Sequence, residues 1–169
     1  MTDRRGSVFL WIAYAVAFLI CYFFAAGIFG RFPLMGSVPD FIPVAIAMVA
    51  VLEGSFAGSV FGLCLGLFGC LAQGNSGPGL IFCGAVLGML SGLLQEERRN
   101  RSNLLPCLLA SLGSLTLVEL VRVLARLFTG AGSIGTLVHI ALFELIYSML
   151  LALPAYILFR FVHRRFGSL

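Results

Sequence analysis

Long apolar stretches fill most of the chain, and short polar or glycine-rich breaks separate them. The breaks divide the chain into six segments, at about 8–29, 39–52, 55–72, 79–94, 104–128 and 136–161. A helix of about 20 apolar residues spans the roughly 30 Å hydrocarbon core of a bilayer. The pattern predicts an all-α membrane protein, with about six transmembrane helices in one compact bundle and a single domain over 1–169.

The second and third segments are short and are the least regular part of this pattern. As one helix, 41–72 would be about 48 Å long, which is too long for a single upright span. Glu53 and Gly54 interrupt the apolar run, so the chain is predicted to turn there. Because the second segment has only about 14 residues, two arrangements remain open: a helical hairpin and a re-entrant pair.

Glycine recurs at four-residue spacing in the third and fourth segments. The first ladder is Gly54, Gly58, Gly62 and Gly66, and the second is Gly84, Gly88 and Gly92. Glycine is unfavourable in a water-exposed helix, but in a bilayer an apolar segment must satisfy its own backbone hydrogen bonds. Small residues at this spacing leave a groove in which another backbone can lie close. The ladders are therefore predicted to pack helices tightly at the centre of the bundle.

Composition agrees with a membrane bundle and argues against several other classes of protein. The chain is 60% hydrophobic and only 11% charged, whereas soluble domains carry about 25% charged residues. The net charge of +4 does not indicate nucleic-acid binding, because the arginines lie mostly where helices leave the membrane. The five cysteines form no C-x-x-C pair, so no metal site, disulfide framework or cofactor is expected.

Arginine is distributed unevenly between the two sides of the predicted membrane domain. With six segments, one side holds Arg4, Arg5, Arg98, Arg99, Arg101, Arg164 and Arg165, and the other holds Arg31. Cytoplasmic loops of membrane proteins carry an excess of basic residues. The arginine-rich side, which includes both termini, is therefore predicted to be cytoplasmic.

Charged residues also occur inside the predicted spans. Arg122 and Glu144 lie at similar depth, about 10–12 Å from the outer ends of the fifth and sixth segments. They are predicted to pair across the two helices, and Glu119 competes for Arg122 from one turn away. Because charges in a membrane face a partner or a cavity, two roles remain open, and a proton or ion path is a weaker third because no chain of acids crosses the bilayer. The pair either closes two antiparallel helices or docks the transmembrane helix of a partner.

A series of short motifs follows in order from Val38 onward. They are Val38-Pro39-Asp40, the first glycine ladder, the polar turn Gly74-Asn75-Ser76-Gly77-Pro78-Gly79, Phe143-Glu144-Leu145-Ile146-Tyr147-Ser148, and Leu153-Pro154-Ala155-Tyr156 with a basic tail. This order resembles the MreD family of bacterial rod shape-determining proteins over most of the chain. One departure is Cys70, which stands where the family often has an acidic residue.

The resemblance implies a multi-pass protein of the bacterial inner membrane that has no catalytic activity. Its implied fold is similar to the substrate-binding components of energy-coupling-factor vitamin transporters. Its implied function is to act as a scaffold for lateral cell-wall synthesis and rod shape. The partners implied are the bitopic protein MreC, the actin-like MreB, and the SEDS glycosyltransferase with its class B penicillin-binding protein.

Two other functions compete with this expectation. A substrate-binding component of an energy-coupling-factor transporter is the alternative, because Ala13-x-x-x-Ala17 offers a small-residue face for docking a transporter subunit. The second is an intramembrane serine protease, since Gly74-Asn75-Ser76-Gly77 has the Gly-x-Ser-Gly pattern of rhomboid proteases. The remaining rhomboid signatures are missing and Ser76 stands just before Pro78, so a turn is the preferred interpretation and no enzyme is expected.

The arginine asymmetry makes a topology prediction. In a variant without the native cysteines, a cysteine at Ser133 should react with an impermeant thiol reagent in intact cells. A cysteine at Ser168 should react only after the membrane is opened, because the arginine-rich side faces the cytoplasm. The opposite labelling pattern would contradict the predicted orientation.

Overall fold

The computed structural model describes residues 3–29, 39–73, 79–96, 104–128, 130 and 134–166. This part of the chain is all-helical and contains no strand, so the predicted fold class is confirmed at this level. The helices are α1 (Asp3–Phe24, continued by a π-helical turn over Ala25–Phe29), α2 (Ile42–Glu53), α3 (Ser55–Gln73), α4 (Gly79–Glu96), α5 (Leu104–Phe128) and α6 (Ile134–Phe166). The predicted loops over 30–38, 74–78 and 97–103 lie outside the described residues.

Four helices of the described chain are long and apolar enough to cross a membrane. They cover Val8–Gly27, Ser55–Ala72, Leu104–Phe128 and Ile134–Arg165. The apolar stretches Ile42–Glu53 and Ile81–Leu93 are shorter. The second segment is short, as predicted, whereas the third, α3, is long enough to span. These lengths indicate a membrane protein.

Helix α2 lies at the centre of the bundle. All of 42–51 is buried, and residues on every side of the helix, such as Val44, Ala47 and Val49, are 0% exposed. A helix that is apolar on all faces has to be covered on all faces. Helix α2 contacts each of the five other helices, so the shortest helix is also the most enclosed.

The five other helices form a ring around α2. Direct contacts join α3 to α4, α4 to α5, α5 to α6, and α6 to α1. Aromatic side chains close the ring between α1 and α3. The ring centroids of Trp11 and Phe61 are 6.2 Å apart, and Phe68 meets Phe18 and Tyr22 edge-on at 5.5 and 5.1 Å.

The hairpin between α2 and α3 turns at a single residue. Gly54 has φ +98°, a conformation that side-chain-bearing residues rarely adopt, and it separates the end of α2 from the start of α3. Ala50 lies four residues before Gly54 and packs against Gly58, which lies four residues after it. The two helices therefore run antiparallel. We call the two ends of the bundle the Asp40 end and the Glu53 end, after the residues that flank α2.

The two glycine ladders face each other between α3 and α4. Gly58 lies against Gly88, and Gly62 lies against Gly84; in each case an added Cβ would come within 3.0 Å of the opposite backbone. Backbone-to-backbone contact of this kind is possible only without side chains. The ladder continues at both ends: Gly92 meets the backbone of Ser55 in the same way, and an added Cβ on Gly84 would lie 3.6 Å from the Cα of Gly66.

This contact makes a packing prediction with a control on another helix. Gly62→Ala should destabilise the protein by about 1–3 kcal/mol, because the new methyl group meets the Gly84 backbone and the helices have to separate. Gly113→Ala is the matched control, since nothing lies within 4 Å of an added Cβ on α5 at that position. Thermal unfolding in detergent measures both. Equal tolerance of the two substitutions would contradict close packing at Gly62.

Candidate functional site

Charged and polar side chains of the described chain gather at both ends of α2. We define the Asp40 cluster as Asp40, Glu119, Arg122, Glu144 and Ser148. We define the Glu53 cluster as Tyr14, Glu53 and His163. Because the part of α2 between them is apolar and buried, each cluster lies at one end of a buried helix.

Arg122 holds the Asp40 cluster together. Its Nη1 donates to Glu119 Oε1 and to Glu144 Oε1, each at 3.0 Å, and its Nη2 pairs with Asp40 Oδ2. The three carboxylates come from α5 itself, from α6 and from the start of α2. One guanidinium therefore ties three helices, and its planar fork of donors suits such multiple pairing.

Asp40 also completes the beginning of α2. Its Oδ1 accepts a hydrogen bond from the Ile42 N–H at 3.1 Å, and its own N–H donates to Ser148 Oγ at 3.0 Å. The first N–H groups of a helix lack partners within the helix, and a negative charge there is favourable. One turn further on, the Ser114 hydroxyl of α5 donates to the Pro43 carbonyl at 3.1 Å. The start of α2 is thus bonded to α5 and α6.

Carboxylates outnumber cations in this cluster. The side chains of Asp40, Glu119 and Glu144 are 6%, 9% and 14% exposed, and that of Arg122 is 23% exposed. Arg126 lies near enough to Glu119 and Glu144 to interact with both electrostatically. A buried charge is expensive unless it is paired, so removing Arg122 affects every carboxylate at once.

The structure brings together the three charged residues predicted from the sequence. Arg122 contacts Glu144 and Glu119 at the same time, so the two carboxylates do not compete for it. Asp40 was not predicted as a partner. The available signal was its position: an acidic residue that opens an apolar segment at the same end of the bundle as Arg122.

The Glu53 cluster joins α1, α2 and α6. The Tyr14 hydroxyl donates to Glu53 Oε1 at 2.6 Å, and His163 Nδ1 lies 2.8 Å from the same oxygen. The Tyr14 ring stacks on Phe159 at 5.9 Å, which fixes the hydroxyl in place. This cluster was not predicted, because Tyr14 and His163 lie 39 and 110 residues from Glu53 in the chain.

Residues 42–51 of α2 are all buried, and a small cavity lies beside the start of the helix. A cavity beside Asp40, also lined by Gly66, Gly84 and Val118, has a volume of about 10 Å³, roughly the space that one water molecule needs. Every buried side-chain N and O atom of the described residues has a hydrogen-bond partner. The same residues contain no group of three or more His, Cys, Asp or Glu placed to hold a metal ion. The turn that carries Ser76 lies outside the described residues.

The cluster geometry predicts unequal costs for removing its members. Arg122→Leu should cost on the order of 3–5 kcal/mol, because it leaves three buried carboxylates without their guanidinium. Glu144→Leu should lower the free energy of unfolding by less, because Arg122 remains paired with Asp40 and Glu119. The double substitution should recover only part of the loss, as two carboxylates remain unpaired.

Thermal unfolding of the two single variants and the double variant, arranged as a double-mutant cycle, measures this coupling. Thr116→Val is the control on α5, because Thr116 is exposed and bonds only to the Leu112 carbonyl of its own helix. Strictly additive losses would show that Arg122 and Glu144 do not interact.

Comparisons of the chain with protein-family models, with curated proteins and with solved structures find no match.

Proposed function

We propose that this protein is a non-catalytic scaffold of the bacterial cell-wall elongation machinery, of the MreD type. The observation that carries the proposal is the filled centre of the bundle. The centre is occupied by α2, whose residues 42–51 are all buried. Ligand pockets have volumes of about 300–1,000 Å³, whereas the cavity beside α2 has about 10 Å³.

The distribution of polar groups also supports a scaffold. The buried polar side chains of the described residues bond to one another or to backbone and hold helices together. The outer surface of the helices is strongly apolar, with large exposed side chains on every helix of the ring. Such a surface suits lateral contacts with lipid and with transmembrane helices of other proteins.

The seam between α5 and α6 at the Asp40 end is the proposed contact region for a partner helix. Arg122 and Glu144 remain partly exposed there, at 23% and 14%, so a neighbouring helix can reach them without opening the bundle. Ala125, one helical turn beyond Arg122 on α5, is exposed. On this proposal the partners are MreC, MreB, and the SEDS glycosyltransferase with its class B penicillin-binding protein.

The transporter alternative loses support at its proposed docking face. An Ala13-x-x-x-Ala17 contact with a transporter subunit requires both alanines on the outside of α1. Ala17 is only 3% exposed and belongs to the core around α2. Ala17 therefore packs inside the bundle, and Ala13 is partly buried against the same core.

Co-purification tests the choice between these functions. The tagged chain, isolated from its native host in mild detergent, should bring down wall-synthesis proteins identified by mass spectrometry. A photo-crosslinking residue at Ala125, one turn beyond Arg122 on α5, should capture a membrane-spanning partner. The same residue at Leu71, which is 77% exposed on α3 at the same end of the bundle, should capture it far less. An ATPase with a coupling subunit as the main captured complex would contradict the scaffold and support the transporter.

A further inference from the structure

The last turns of α6 change from apolar to cationic along one exposed face. Leu153, Ile157 and Phe161 are 45%, 68% and 64% exposed, at four-residue spacing. Arg164 follows on the same face, one turn beyond Phe161, and is exposed. Long arginine side chains take such positions where a helix passes from hydrocarbon to lipid headgroups. The end of α6 therefore marks a membrane surface at the Glu53 end.

Arg160 lies in the groove between α6 and the beginning of α5. It is half-buried, with its Cζ 5.6 Å from the centroid of the Tyr156 ring, and Tyr156 is only 3% exposed. Arg160 also lies close enough to Cys107, at the start of α5, to interact with it electrostatically. Its guanidinium is thus held against the protein by an aromatic face rather than by a carboxylate.

The cations of this region differ sharply from Arg122. No ion pair joins Arg160, Arg164 or Arg165 to a carboxylate whose side chain the structure describes, and those of Asp3 and Glu96 are not among them. Glu53, the acidic residue at this end of α2, is already bonded to Tyr14 and His163.

The whole sequence shows the same surplus of positive charge. The start of α1, the stretch from the end of α4 to the start of α5, and the end of α6 carry eight arginines: Arg4, Arg5, Arg98, Arg99, Arg101, Arg160, Arg164 and Arg165. The acidic residues of these segments are Asp3, Glu96 and Glu97. Arginine remains in excess even if every one of these carboxylates is paired.

We propose that Arg160 and Arg164 bind the phosphate of an anionic phospholipid in the groove between α5 and α6. Arginine donates paired hydrogen bonds to phosphate oxygens, and basic pockets between transmembrane helices bind anionic headgroups. The occupant is a lipid and not a free anion, because the apolar stripe of Leu153, Ile157 and Phe161 continues directly from the cations. Acyl chains lie along this stripe while the headgroup meets the two arginines.

Native mass spectrometry and thermal unfolding of the delipidated full chain test the proposal. The probes are phosphatidylglycerol, phosphatidylcholine and inorganic phosphate, added separately. Phosphatidylglycerol should bind and raise the unfolding temperature more than the other two. The double variant Arg160→Gln, Arg164→Gln should bind phosphatidylglycerol roughly thirtyfold more weakly. This corresponds to about 2 kcal/mol, because each arginine near an anionic membrane surface contributes about half of that binding free energy. Arg160→Lys keeps the charge but not the paired donors, so it should have an intermediate effect.

Arg126→Gln is the control, since it removes the same charge from the opposite end of the bundle. It should leave phosphatidylglycerol binding unchanged. An equal loss in the control and in the double variant would overturn the site in favour of non-specific attraction. Equal stabilisation by inorganic phosphate would overturn the lipid as occupant. Unchanged lipid binding in a folded double variant, with loss of an acidic protein partner instead, would also overturn the proposal.

Discussion

The structure depends on the burial of α2 on all of its faces. A short apolar helix in this position has no polar face of its own, so the five surrounding helices must cover it completely. Only its two ends carry polar groups, and these are buried at Asp40 and partly buried at Glu53. Asp40 and Glu53 are therefore the points at which the buried helix has to be bonded to the ring, and both are bonded to α6. Helix α6 thus fixes α2 at both ends, about 20 Å apart along the axis.

The distance between neighbouring helices of the ring depends on the side chains that pack between them. Between α3 and α4 the glycine ladders allow the backbones to touch, which lets both helices also reach α2. Between α1 and α3 the opposite solution is found, because large rings of Trp11, Phe18 and Phe68 fill a wider space. The ring thus contains both a narrow contact and a wide one, and a cavity beside Asp40 has a volume of about 10 Å³.

Hydrophobic pattern alone predicts the helices of this chain well, and glycine spacing predicts where two of them approach. The central position of α2 could not be predicted in the same way, because an apolar helix has the same sequence pattern whether protein or lipid surrounds it. The Arg122–Glu144 pair could be inferred from depth on two consecutive helices. The Glu53 cluster could not, since its members come from the first, second and last helices and share no local pattern. Asp40 could be predicted in part. The sequence places it at the same end of the bundle as Arg122, but its contact with Arg122 depends on the central position of α2.

The two ends of the bundle use charge in different ways, and this difference bears on function. At the Asp40 end, three carboxylates surround Arg122, so its positive charge is already used inside the protein. At the Glu53 end, arginines of α6 have no such internal partner among the described residues, and their charge is directed outward. A buried ion network holds helices in one arrangement, whereas exposed cations attract an anionic surface. If Arg160 and Arg164 bind lipid as proposed, the same residue type stabilises the bundle at one end and orients it against the membrane surface at the other. For a scaffold, a fixed interior and a fixed orientation are both needed, because partners can meet only on a face that is always presented in the same way.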